Sequence, residues 1–182
     1  MSSISRWPVV FALTSLLAVG SVTAACDRAG SPLSPAAAEP WGSSADLTPE
    51  ARRDLAALRA ATAPYHQFDD AVEAGWSLQV TDCMEDPALG GMGYHYGHLG
   101  FYLDGEANVL EPEVLLFAPR PDGELRLVAV EYLVPHAASA DAPQLFGREM
   151  ALHGEDWILH VWAWEHNPDG LFADWNPRVS CS

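Results

Sequence analysis

Three cysteines constrain this chain more than any other feature. Cys26 follows Ala24-Ala25 close to the start, Cys83 lies near the middle and Cys181 near the end. An odd number of thiols in a protein bound for an oxidising compartment needs an explanation. The residues before Cys26 supply one. Met1 to Ser5 are mostly polar, Arg6 carries one positive charge, and Val9 to Val19 is apolar apart from Thr14 and Ser15. A short basic end, an apolar stretch too brief to span a bilayer and a small-residue exit describe a signal peptide over residues 1–25. Cys26 then reads as the lipidated first residue of a mature lipoprotein. Thr23 stands where such signals usually carry Leu, so ordinary signal-peptidase cleavage and free secretion form the alternative reading. With Cys26 lipidated, Cys83 and Cys181 remain as a pair in an oxidising compartment, with two free thiols as the alternative. A bridge between them closes nearly the whole folded region, a loop whose entropy is worth roughly 4–5 kcal/mol.

Charge removes several classes of function. The chain has 25 acidic residues against 9 arginines and no lysine, for a net charge of −16, and a leader carrying Arg6 and no acid leaves the mature chain more acidic still. Nucleic acid and anionic lipid surfaces are poor partners for such a chain. A P-loop, a Schiff-base lysine and a Ser–Lys dyad each require the missing amine. No G-x-S-x-G nucleophile motif is present either. The acidity itself reads as a solvated surface.

Asp27 to Ala45 is rich in Pro, Ala, Ser and Gly without apolar periodicity. Residues 26–46 are therefore expected to form a tether of about 25 Å beyond the lipid. Residues 47–182 have the length of one globular domain, with no internal repeat. Thr48-Pro49-Glu50 opens a helix with a cap, a proline at the first position and an acid at the positive end of the dipole. Leu47, Ala51, Leu55, Leu58 and Ala61 form its apolar stripe, and Pro64 interrupts it. Tyr65, Phe68 and Val72 mark a shorter helix that Gly75 stops. From Ser77 onward the texture is that of strands. Tyr94 to Leu103, Val114 to Ala118, Glu124 to Val134 and Trp157 to Glu165 are rich in β-branched and aromatic residues. Pro119 to Gly123 supplies a hairpin loop between the middle two. Helices first and strands afterwards predict an α+β fold, N-terminal helices packed on an antiparallel sheet, barrel-like in its curl.

Alternation along the strands places the polar exceptions. Ile158, His160, Trp162 and Trp164 share one face of the last strand, with Trp157, Leu159, Val161 and Ala163 on the other. On the neighbouring strand Leu127, Ala129, Glu131 and Leu133 oppose Val128, Val130, Tyr132 and Val134. Glu131 is a carboxylate inside a run that reads as buried, and such a group must be paired, bind a metal or take up a proton. An outward Glu131 at a sheet edge is equally consistent with the pattern. In Gly90 to His98, His95 shares a face with Leu99, Phe101 and Leu103, while His98 points the other way, so the two cannot share a metal in a strand. His95, Glu131 and His160 thus come from three strands, and two imidazoles with a carboxylate suit an open divalent-metal site for Zn, Cu or Fe. Taken singly, each histidine is better explained as a core residue bonded to backbone or to a tyrosine; only together do the three residues point to a metal or polar pocket. Tyr94, Tyr96, Trp162 and Trp164 are the expected aromatic lining of the pocket. Met92 is a soft ligand if the metal is copper, and otherwise fills a gap. His136 and His153 read as exposed, His166 as bonded locally, and Trp175-Asn176-Pro177 as packing the C-terminus onto the sheet.

The order Ala61-Thr62-Ala63, Ala74-Gly75-Trp76, Cys83, Gly91-Met92-Gly93-Tyr94-His95-Tyr96, Pro112-Glu113, Val130-Glu131-Tyr132, Leu159-His160-Val161-Trp162, Asn176-Pro177 and Cys181 resembles a group of bacterial exported proteins with no established activity. The resemblance implies an exported domain and nothing of its chemistry. Three functions fit the residues. The first is a membrane-tethered binding protein of the cell envelope holding a metal ion or small ligand. The second is a metal-dependent enzyme with Glu131 or Glu113 as base. The third is an envelope structural or interaction protein.

Overall fold

The computed structural model describes residues 47–182, so the signal peptide, Cys26 and the tether lie outside the described residues. Helix α1 (Pro49–Thr62) starts as its sequence dictates. The Thr48 hydroxyl accepts a hydrogen bond from the Ala51 amide at 3.2 Å, and Pro49 occupies the first turn. Ala51, Leu55 and Leu58 are buried, but Thr62 rather than Ala61 completes the stripe. A 3₁₀ turn (Ala63–His66) carries Pro64, and α2 (Phe68–Ala74) ends at Gly75, whose φ of 120° suits glycine alone. Among the described residues no helix is long and apolar enough to cross a membrane.

Strands follow: β1 (Trp76–Asp86), β2 (Gly90–His98), β3 (Val114–Pro119), β4 (Leu125–Pro135), a small hairpin of β5 (Gln144–Leu145) and β6 (Arg148–Glu149), then β7 (Ala151–His153) and β8 (Asp156–Val161). Six of them form one curled antiparallel sheet in the order β1-β2-β3-β4-β8-β7, a half-barrel, and the fold is α+β. The helices cover one face, where Leu55 and Leu58 join Leu115, Phe117, Val130, Tyr132, Leu159 and Val161. On the other face Val114, Leu116, Ala129 and Trp162 are buried with Val179 of the C-terminal segment.

Three strand boundaries depart from the expectation. The stretch Tyr94 to Leu103 is not one strand: β2 ends at His98 and Leu99–Asp104 forms helix α3. The His98 ring causes the switch, because its Nδ1 accepts the Phe101 amide at 3.2 Å and caps that helix. Leu99 and Leu103 are consequently exposed and do not share a face with His95. The run Trp157 to Glu165 stops being a strand after Val161. There the Trp164 and Glu165 amides both donate to the Val128 carbonyl, while Arg59 of α1 donates to the Ala163 carbonyl at 2.8 Å. On β4, Leu116 faces Ala129 but Phe117 faces Leu127, which leaves Val128 as a bulge and puts Leu127 on the helix side.

Cys83 and Cys181 form a disulfide across 98 residues of sequence. Next to it the Cys181 amide donates to Glu85, and Gly91 pairs with Asn176 as an isolated bridge. A Cβ on Gly91 would lie 2.8 Å from the Val179 carbonyl oxygen, so glycine is what lets the C-terminal segment lie against β2. This segment is the lid of the second face, as expected for Trp175-Asn176-Pro177. Replacing both Cys83 and Cys181 by alanine is expected to lower stability by roughly 2–5 kcal/mol. Chemical denaturation of the full chain, read by tryptophan fluorescence, checks it.

Candidate metal centre

His95, Glu131 and His160 meet. They sit on β2, β4 and β8, all three buried, and each offers one ligating atom within 4.8 Å of the others. The register explains how. Glu131 lies directly opposite His160 in the β4–β8 ladder and opposite Val114 in the β3–β4 ladder. His95 pairs with Leu116, so Val114 and Leu116 form an apolar floor between it and Glu131. His95 Nε2 stands 3.8 Å from Glu131 Oε2, and His160 Nε2 stands 3.4 Å from Glu131 Oε1. Bonds of 2.0–2.1 Å to a tetrahedral ion put neighbouring ligand atoms about 3.3 Å apart. The His160–Glu131 separation is already close to that value, whereas the trio as a whole, spread over as much as 4.8 Å, would have to draw together around an ion.

Both rings are oriented from behind. The Thr81 hydroxyl lies 2.9 Å from His95 Nδ1, and Asp174 Oδ1 lies 3.4 Å from His160 Nδ1. In each case Nε2 is the nitrogen left facing Glu131. An outer partner on one imidazole nitrogen is the habitual arrangement behind a metal-ligating histidine. At 3.4 Å from its carboxylate neighbours, neither ring nitrogen of the buried His160 makes a hydrogen bond of ordinary geometry. Such a group is a polar side chain with an incomplete set of partners.

Electrostatics follow from burial. Desolvation, with His160 beside it, pushes the His95 pKa down to about 4, so the ring is neutral at pH 7 and free to ligate. Burial also raises the Glu131 carboxyl above its usual range. For His160 burial opposes the charge, but Glu131 and Asp174 outweigh it and hold its pKa up. The neighbouring His160 ring in turn keeps the half-exposed Asp174 carboxyl below its usual range. A cavity of about 320 Å³ opens beside the three groups, with Met84, Met92 and Ile158 on its walls and the exposed His153 at its edge.

The aromatic lining lies elsewhere. Tyr94 and Tyr96 flank His95 in β2 and so project to the other face, where Tyr96 packs on Phe68 and Phe117. Trp162 stays on the His160 side but donates its indole N–H to the Ala173 carbonyl, away from the cavity. Trp164 crosses to the helices and donates to the Thr62 hydroxyl at 3.0 Å. Together they border a different hollow with Arg59. The break after Val161 is the reason, since strand alternation does not extend past it. Glu113 is not a wall of the metal cavity either; it lies in an adjoining cleft, with its carboxylate accepting the Leu133 amide at 2.9 Å. Sequence reasoning missed Thr81 and Asp174. Thr81 alternates on β1 in a register interrupted by several bulges, and Asp174 belongs to an irregular segment with no period. No family model, curated protein or solved structure matches the chain.

Glu113 gives a pH signature. Desolvation raises its pKa from 4.5 to about 8. Below pH 4.5 folded and unfolded chains both carry the proton; between 4.5 and 8 only the folded chain does, so the contribution is lost as pH rises through that window. A shift of this size carries on the order of 5 kcal/mol. Stability of the wild type should fall between pH 5 and pH 8, and Glu113→Gln should flatten that slope in urea titrations across the pH range.

Proposed function

We propose that this chain is an exported, membrane-tethered protein of the cell envelope that holds a divalent metal ion through His95, Glu131 and His160. The observation that carries the reading is the paired orientation of the two imidazoles. Thr81 and Asp174 engage their Nδ1 atoms, and both Nε2 atoms converge on one buried carboxylate. Two imidazoles and a carboxylate suit Zn or Fe, and the thioethers of Met84 and Met92 on the cavity wall add a donor type that favours Cu. A location outside the cytosol is supported by the Cys83–Cys181 bridge, since reducing compartments do not maintain such bonds. The lipid anchor rests on the sequence at Cys26 alone.

The test is elemental analysis of the full chain purified from the envelope without chelators. One ion per chain is expected in the wild type, and none after His160→Ala. Thr81→Val and Asp174→Asn leave the three ligands in place and should weaken metal affinity by roughly 10–100-fold. A wild type that carries no metal and takes up none in titration would sink the reading.

The cavity favours a second reading. Three protein ligands leave a fourth position, and about 320 Å³ of space adjoins them, which suits an ion that activates water. Turnover by the metal-loaded chain that disappears in His160→Ala would move the protein from binding to catalysis.

A further inference from the structure

Beside the metal cavity lies a second cleft of about 250 Å³ on the same face of the sheet, and Val80, Leu133 and Asp156 belong to both. Its walls are apolar. Leu78 and Val80 of β1 and Leu99 of α3 are each about half exposed there (53%, 50% and 55%), although side chains of this kind are usually covered when they cluster. Its floor is Glu113, only 1% exposed. Among the described residues Glu113 has no salt-bridge partner: its carboxylate is held by backbone amides, that of Leu133 and its own, and no arginine borders the cleft. At the rim the Tyr102 hydroxyl donates to Asp156 at 3.1 Å. An apolar slot with a buried carboxyl at the bottom and a second one at the rim, bordered by His98 but by no arginine, disfavours anions and leaves a cation's place open.

We infer that this cleft is a binding site for a small apolar amine, whose ammonium group meets the Glu113 carboxylate while its hydrocarbon body covers Leu78, Val80 and Leu99. The volume accommodates a chain of roughly six carbons, at the small end of ligand pockets. The ammonium supplies the counter-charge that Glu113 lacks. Burial keeps a proton on Glu113 up to about pH 8, so binding below that pH sends this proton to solvent as the ion pair forms. The other ionisable groups facing Glu113 are His98 from β2, Tyr102 and Asp104 from α3, Glu131 from β4 and Asp156 from β8, mostly acids that favour the same cation. The site does not depend on the metal reading.

The test titrates the full chain with n-hexylamine, n-hexanol and hexanoate by calorimetry, at pH 7 and pH 9, with and without EDTA. Hexylamine should bind at least tenfold tighter than hexanol, hexanoate should not bind, and the preference should grow at pH 9. Glu113→Gln should cost hexylamine at least tenfold and leave hexanol unchanged, whereas EDTA and His160→Ala should change neither. Equal binding of amine and alcohol, or any preference for hexanoate, would overturn the inference. So would amine binding that EDTA abolishes, which would place the amine on the metal. Should Glu113→Gln not fold, the wild-type ranking still decides, together with Leu99→Trp, which fills the mouth from an exposed position and should abolish hexylamine binding.

Discussion

A carboxylate shut inside a β-sheet costs several kcal/mol unless other groups compensate it, and much of this structure is arranged around that cost at Glu131. Its place on β4, near the middle of the sheet, leaves it only the adjoining cavity as a route to water. Compensation comes from the strands on either side: His160 directly across the β4–β8 ladder, and His95 from beyond β3. Neither imidazole is within ordinary hydrogen-bonding distance of it. The three groups are close enough to need one another and too far apart to satisfy one another, which is the condition a small cation relieves. Thr81, bonded to His95 Nδ1, and Asp174, placed behind His160 Nδ1, leave the Nε2 of each ring toward Glu131. The same rule governs Glu113 one strand away, where backbone amides are the help the buried carboxyl receives.

What assembles this face is the C-terminal segment. It has no helix or strand of its own, and its position depends on fixed points along its length. The Trp162 indole bonds to the Ala173 carbonyl, the Asn167 side chain to the Trp175 carbonyl, and Asn176 pairs with Gly91. The disulfide closes the far end. Asp174 lies among these contacts, so the residue that aims His160 is held by glycine-permitted backbone approach and covalent closure rather than by secondary structure.

The architecture was legible where period or local chemistry decides structure. Thr48-Pro49-Glu50 opens α1, Gly75 closes α2, the Pro119 to Gly123 loop separates β3 from β4, and the alternation of β4 and β8 puts Glu131 and His160 on one face. The cysteine count foretold the bridge. Legibility ended where one side chain or one extra residue redirects the backbone. His98 caps a helix that composition alone reads as strand, since Leu99 to Leu103 are as apolar and aromatic as any strand here. The Val128 bulge and the break after Val161 reset alternation, sending Leu127 and Trp164 to the helix side. The aromatic lining assigned to the pocket failed for this reason, and because Tyr94 and Tyr96 are neighbours of His95 rather than its partners at a spacing of two. Thr81 and Asp174 lie in stretches where no period operates, and only the folded chain brings them to the rings.

The sequence separation of 98 between Cys83 and Cys181 also sets an order of events. Within that span lie β2 through β8 and all three candidate ligands, His95, Glu131 and His160, while Thr81 stands just before it and Asp174 near its end. Contacts between distant parts of the chain form slowly, because loop closure must precede the interactions that reward it. The His160 side of the centre therefore cannot mature as the chain emerges; it waits for the last residues to settle against β2. A partly synthesised or partly folded chain exposes its histidines singly, without the groups that orient them, and the centre takes its final form only on a finished fold.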